Sequence, residues 1–223
     1  LTSIGSAAVE PVAARLMEGN PDEAIMAANV LGLIGGHAAA ALLLSRLASG
    51  QAPNANLRFA LYEALGRAGS ERAEESLIAG LNEQDEQVLL AVVTALDLHP
   101  GARAVAAFRE RAGQPDGARL YRALVLAEAL NLFEELYRID KPGVRQVIDQ
   151  LTELGDVHLI EIFRERLLTI GEEKALQAAG LLRRRTPAPS EASILAVDDS
   201  QAMLSFYRSA LEAAYVILAV PFA

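Results

Sequence analysis

The stretch Leu57 to Leu81, LRFALYEALGRAGSERAEESLIAGL, constrains the chain more than any other, because it cannot bury its own apolar surface. Leu57, Ala60, Leu61, Ala64 and Leu65 recur at the spacing of one helical stripe. After a tight turn at Arg67–Ser70, a second stripe follows in Ala73, Leu77, Ile78 and Leu81, with Ser70 as the expected N-cap. A helical hairpin with two apolar stripes needs neighbours of its own kind.

Those neighbours are present. At an offset of 34 residues, Leu31–Gly32 falls on Leu65–Gly66, Gly35 on Gly69, Leu43 on Leu77 and Leu47 on Leu81. At an offset of 31, Leu96 falls on Leu65, Ala104 on Ala73 and Phe108 on Leu77. Further on, EIFRERL (161–167) repeats AAFRERA (106–112) at an offset of 55. A helix-pair period in the low thirties predicts an all-α solenoid. The unit from Asn56 to Leu81 resembles a HEAT-type repeat, including Arg58, where that family often carries arginine. The other copies lack that arginine: Ala24 and Leu89 stand in its place. The resemblance implies a helical-hairpin solenoid with a concave surface for a protein partner.

Residues 1–185 are expected to form the solenoid. A lone helix over 4–18 is followed by a capped start at Asn20-Pro21-Asp22-Glu23 and helices at 21–34 and 37–49. The central unit spans 54–82, and Asp85 caps a helix over 86–98, with a partner over 102–112. No breaker interrupts Ala118 to Ile139, which predicts one long helix lacking the second half of its repeat. Asp140-Lys141-Pro142-Gly143 ends it, and helices are expected at 144–154, 157–170 and 172–185. Arg183-Arg184-Arg185 suits the negative end of the last helix dipole and reads as a solvated helix end.

A Pro-rich linker, residues 186–193, separates this part from a stretch of different character. Ile194-Leu195-Ala196-Val197 reads as a buried parallel strand, with Asp198-Asp199-Ser200 at its C-terminal end. Gln201 to Ala213 is amphipathic at helical spacing, and Tyr215 to Val220 reads as a second strand. Strand, helix, strand over 194–223 is a short βαβ piece of an α/β fold, which places its sites at strand C-termini. ILAVDDS followed by MLSFYRSALEAA resembles the start of a response-regulator receiver domain. The resemblance implies that Asp198 and Asp199 help to hold Mg²⁺, a cation that prefers hard oxygen ligands. It covers only the first strand, helix and second strand. The family's phosphoacceptor, on a third strand, has no counterpart in this chain, so Mg²⁺ and a histidine kinase partner are implied only for a complete receiver.

Composition narrows the function classes. The net charge is −9, shared as −6 over residues 1–185 and −3 over 186–223, and an acidic balance argues against a nucleic-acid groove. Cysteine is absent, which excludes disulfides and thiolate metal sites. Apolar runs such as Ala38–Leu44 are far too short to span a membrane, and no signal peptide opens the chain, so a cytoplasmic location is expected. The first residue is Leu1, which reads as a fragment boundary. The three histidines, His37, His99 and His158, lack partner spacing for a metal site, and no nucleophile–base signature is visible, so an enzyme is not expected. Three readings result. The first is a two-component response regulator, and the second is a non-enzymatic interaction scaffold with a truncated or degenerate receiver. The third, with least in its favour, is an enzyme on a HEAT-like frame.

Overall fold

Three helix starts in the first half of the chain are written in their caps, Asn20, Asn54 and Asp85. The computed structural model describes residues 2–49, 54–70, 72–185, 193–198 and 216–221. Helix α1 runs Thr2–Glu18 and α2 Pro21–Ile34. The Asn20 side chain accepts from the Glu23 N–H at 3.0 Å, and the Glu23 carboxylate accepts from the Asn20 N–H at 3.2 Å. This reciprocal capping box closes two otherwise orphaned donors. Helix α3 spans Gly36–Ala48, and α4, Ala55–Ala68, is capped by Asn54. Helix α5 spans Ala73–Gly80, and α6, Glu86–Leu98, is capped by Asp85. Helix α7 is Ala102–Ala112. At the start of α5 the expected Ser70 side-chain cap does not form; the Ala73 N–H instead donates to the Ser70 carbonyl at 2.9 Å.

The long helix expected over Ala118–Ile139 is two helices, α8 at Ala118–Leu126 and α9 at Leu130–Ile139. The turn between them contains neither glycine nor proline. Glu128 adopts φ +50°, the only positive φ among the described non-glycine residues. Its N–H donates to the Val125 carbonyl and the Ala129 N–H to the Leu124 carbonyl, each at 3.1 Å. That is a Schellman termination with glutamate where glycine is usual. Asp140 ends α9, and α10 starts at once as Lys141–Leu154, earlier than the expected Val144. Pro142 fits there because the first helical turn has no intrahelical partner for its N–H. Helix α11, Val157–Ile170, and α12, Glu173–Arg185, follow.

The helices fall into two rows. In one, α2 packs on α4, α4 on α6, α6 on α8 and α8 on α10. In the other, α3 packs on α5, α5 on α7, α7 on α9 and α9 on α11. The α8–α9 turn thus keeps both rows in register, where a single helix would have left the second row without a member. Helix α1 packs against α2 and α3. The core lies between the rows and is built of leucine, alanine and valine, with Phe108 and Phe163 of the two FRER segments fully buried.

Close approach in the first row depends on missing side chains. A Cβ on Gly32 would lie 2.8 Å from the Cα of Ala64, and one on Gly66 would lie 2.7 Å from the Cα of Ala95. The 31-residue offset puts Asp97 at the next such position.

The chain divides into two units, Leu1–Arg183 and Arg184–Ala223. In the second, strands β1 (Ser193–Asp198) and β2 (Val216–Pro221) pair in parallel, with Ser193 opposite Val216 and Asp198 opposite Pro221. Ser193, expected in the linker, opens β1. Linker residues 186–192 and the helix expected over Gln201–Ala213 lie outside the described residues.

Candidate functional site

Of the two carboxylates expected to hold a metal, Asp198 is the last residue of β1 and stands opposite Pro221. Asp199 lies outside the described residues. The three histidines do not converge. His37 is the second residue of α3, His99 follows α6, and His158 is the second residue of α11. Among the described residues, no group of three His, Cys, Asp or Glu side chains is placed to bind a metal ion. Among them, too, no helix is long and apolar enough to cross a membrane.

The helical unit has a concavity along the edge where α2 turns into α3, α4 into α5, and α6 into α7. A slot of about 320 Å³ has Leu65, Leu77, Leu96, Ala73 and Ala95 among its walls. Gly69 contributes no side chain to it, and the two alanines contribute one carbon each. His99 and Glu74 stand at its rim. A Cβ on Gly69, whose φ is +65°, would come within 3.4 Å of the His99 Nε2. The Glu74 carboxylate is matched by Arg103 at 3.4 Å. A second hollow of about 320 Å³ shares Gly69 and Ser70 with the first. Its other lining residues are Gly36, His37 and Arg72. Arg72 is exposed and makes no hydrogen bond or ion pair with any described residue. Along this edge an apolar slot thus lies beside a hollow whose charged lining, among the described residues, is Arg72.

Sequence reasoning placed Gly69 in a tight turn and read the histidines of this edge only as lacking the spacing of a metal site. It did not mark them as the walls of a cavity, because only the stacking of three turns brings them together. It also missed two polar junctions. Glu83, in the loop before α6, forms an ion pair with Arg58 at 3.4 Å and accepts from Tyr62 OH at 3.3 Å, and Arg119 donates to its carbonyl oxygen. Burial, reinforced by the Glu83 charge, pushes the Tyr62 hydroxyl up to about 12. Arg58, the residue of the family resemblance, here ties α4 to the loop that starts the next helix pair.

The second junction is Asp97. The Leu132 N–H donates to its Oδ1 at 2.7 Å, and the Asn131 amide donates to its Oδ2 at 3.2 Å. A carboxylate near the end of α6 thus caps α9 across the array. Burial holds the Asp97 carboxyl above its ordinary range, with the donors and the Arg166 charge pulling the other way. The signal was present as a break in pattern, an aspartate where Gly32 and Gly66 have glycine.

No protein-family model matches the chain, and no curated protein sequence matches it significantly.

Proposed function

We propose that this chain is the interaction part of a two-component response regulator. A HEAT-type helical array binds a protein partner, and a receiver-type segment links that binding to phosphorylation by a histidine kinase. The observation that carries the reading is β1, which ends in Asp198, lies parallel to β2 and follows a helical array of different composition. Open α/β sheets use the C-terminal ends of parallel strands for ligands. Asp198 and Asp199 offer the hard oxygen donors that Mg²⁺ takes, and that ion would neutralise phosphoryl oxygens beside them. The phosphoacceptor of this reading belongs to a later strand of a complete receiver.

The test uses the native gene product with acetyl phosphate and Mg²⁺. Acid-labile phosphate should appear, and should be lost with a chelator and with Asp198→Asn plus Asp199→Asn. A native product that takes up no phosphate under these conditions refutes the signalling reading.

The apolar slot on the turn edge favours a second reading, a scaffold whose partner binding ignores phosphorylation. A partner affinity that changes with phosphodonor would refute it.

A further inference from the structure

We propose that the exposed side of α2 is a dimer interface, on which a second copy of this chain docks its own α2 antiparallel, about a twofold axis close to Val30. The inference goes beyond the reading of the helical unit as a partner-binding module and is independent of the receiver reading.

The side of α2 opposite the buried Ala24, Ala27, Ala28 and Leu31 presents Met26, Val30 and Leu33, which are 69%, 40% and 78% exposed. Their spacing of i, i+4, i+7 makes one continuous stripe. The other exposed large apolar side chains among the described residues are spread one or two to a helix, from α6 to α12. Single exposed apolar residues are ordinary, whereas a contiguous apolar patch marks a contact surface. Charge selects what covers it. The chain carries a net charge of −9, so two copies repel unless they meet where charge is absent. From Ala24 to Leu57 the one Asp, Glu, Lys or Arg is Arg46, and it is buried. The charges that flank the stripe are matched within the chain. Arg15 pairs with Glu23 at 3.2 Å on one side, and on the other Arg67 pairs with Glu63 at 3.3 Å and donates to Asn29 at 2.9 Å. A strongly charged partner finds little to hold here, whereas a second uncharged stripe fits.

The stripe is also complementary to itself, which a twofold contact requires. Met26 and Leu33 are of similar size and lie on either side of a midpoint next to the smaller Val30. Turned end for end, each Met26 meets the Leu33 of the other copy, and the two Val30 side chains meet near the axis. Asp22, one turn before Met26, is the acidic residue on this side of α2. At a rise of about 1.5 Å per residue, antiparallel pairing keeps the two Asp22 carboxylates about 22 Å apart along the helices. Parallel pairing would set them side by side.

Sedimentation velocity of the full chain over a concentration series tests this, and a reversible monomer–dimer equilibrium is expected. Leu33→Glu should weaken the dimer by at least about a hundredfold, tenfold for each of two carboxylates buried without a partner. Met26→Lys should weaken it in the same way. Combined in one chain, the two changes set each lysine against the other copy's glutamate, and the dimer should recover at least about tenfold over either single variant. Met26→Glu with Leu33→Glu should remain monomeric. Arg145→Glu, an exposed charge change on α10, should leave the equilibrium unchanged, and circular dichroism establishes that each variant is folded. Because the chain has no cysteine, a short bis-maleimide should join copies carrying Val30→Cys and not copies carrying Arg145→Cys. A wild-type chain that stays monomeric throughout would overturn the inference and leave the stripe to a partner of another kind. A dimer indifferent to Leu33→Glu, or one not joined through Val30→Cys, would place the contact elsewhere and overturn it too. Failure of the combined variant to recover would overturn the antiparallel pairing. None of these outcomes depends on phosphate uptake.

Discussion

Replacing Glu128 should invert the ordinary helix scale. In a helix interior, glycine is less stable than alanine by about 1 kcal/mol. Glu128 stands instead at the left-handed C′ position between α8 and α9, with φ +50°. Holding a residue with a Cβ there costs roughly 1–2 kcal/mol. Glycine escapes that cost but loses about 0.5–1 kcal/mol more backbone entropy on folding. Subtraction leaves the Glu128→Gly variant more stable than the Glu128→Ala variant by about 0–1.5 kcal/mol. Comparing the two variants with each other also cancels the contact between Glu128 and His158 at 3.6 Å, which both lack. Urea unfolding of the two variants, read by circular dichroism with a shared slope, measures the difference. The exposed helical position Arg145 is the reference. There, Arg145→Ala should be more stable than Arg145→Gly by about 1 kcal/mol. If position 128 ranks alanine above glycine as position 145 does, residues 118–139 form one continuous helix and the two-row packing is wrong.

Other outcomes follow from the same contacts. Asp97→Ala leaves the Leu132 N–H without its acceptor and should cost about 1–3 kcal/mol, whereas Asp97→Asn keeps an acceptor oxygen and should cost less; equal costs would mean that the cap is not the source. Gly66→Ala should destabilise despite the better helix former, because overpacking costs about 1–3 kcal/mol and the new Cβ meets the Ala95 backbone; a stabilised variant would refute the close approach of α4 and α6. Arg111 grips both oxygens of Asp116 at 2.6 Å and holds its carboxyl down from an ordinary 3.8 to about 2. A depressed folded value gives stability that is present above the ordinary value and lost as pH falls through the folded one. Asp116→Asn should therefore flatten the acid limb of a stability–pH curve between those two values, and an unchanged limb would show the pair to be inert. Asp97 has the opposite sign: its raised carboxyl takes up a proton more readily when folded, so its contribution to stability grows as pH falls through the folded value.

The apolar stripes, the caps at Asn20, Asn54, Asp85 and Asp156, and the glycine punctuation at Gly35, Gly69 and Gly155 are local signals. They act within a turn or two of chain, so α2, α6, α7 and α11 could be read almost to the residue. The tight pairings at Gly32 and Gly66 were visible as an echo, because close packing of repeated helices demands repeated small residues. Where a turn depended on something distant, the local pattern misled. Nothing between Ala118 and Ile139 disfavours a helix strongly. The break at Glu128 costs only what one strained residue costs, and it is offset by Asp97, 34 residues away in sequence from Asn131, capping the helix that begins there. The candidate binding edge has the same origin. Each of its turns is legible by itself, but a slot between Leu65, Leu77 and Leu96 exists only once two helix pairs stack, because a cavity is a property of what neighbouring segments leave empty. Composition and local periodicity determined the helices of this chain; the helix break, the cross-array cap and the open slot were decided by long-range packing, which no local stretch encodes.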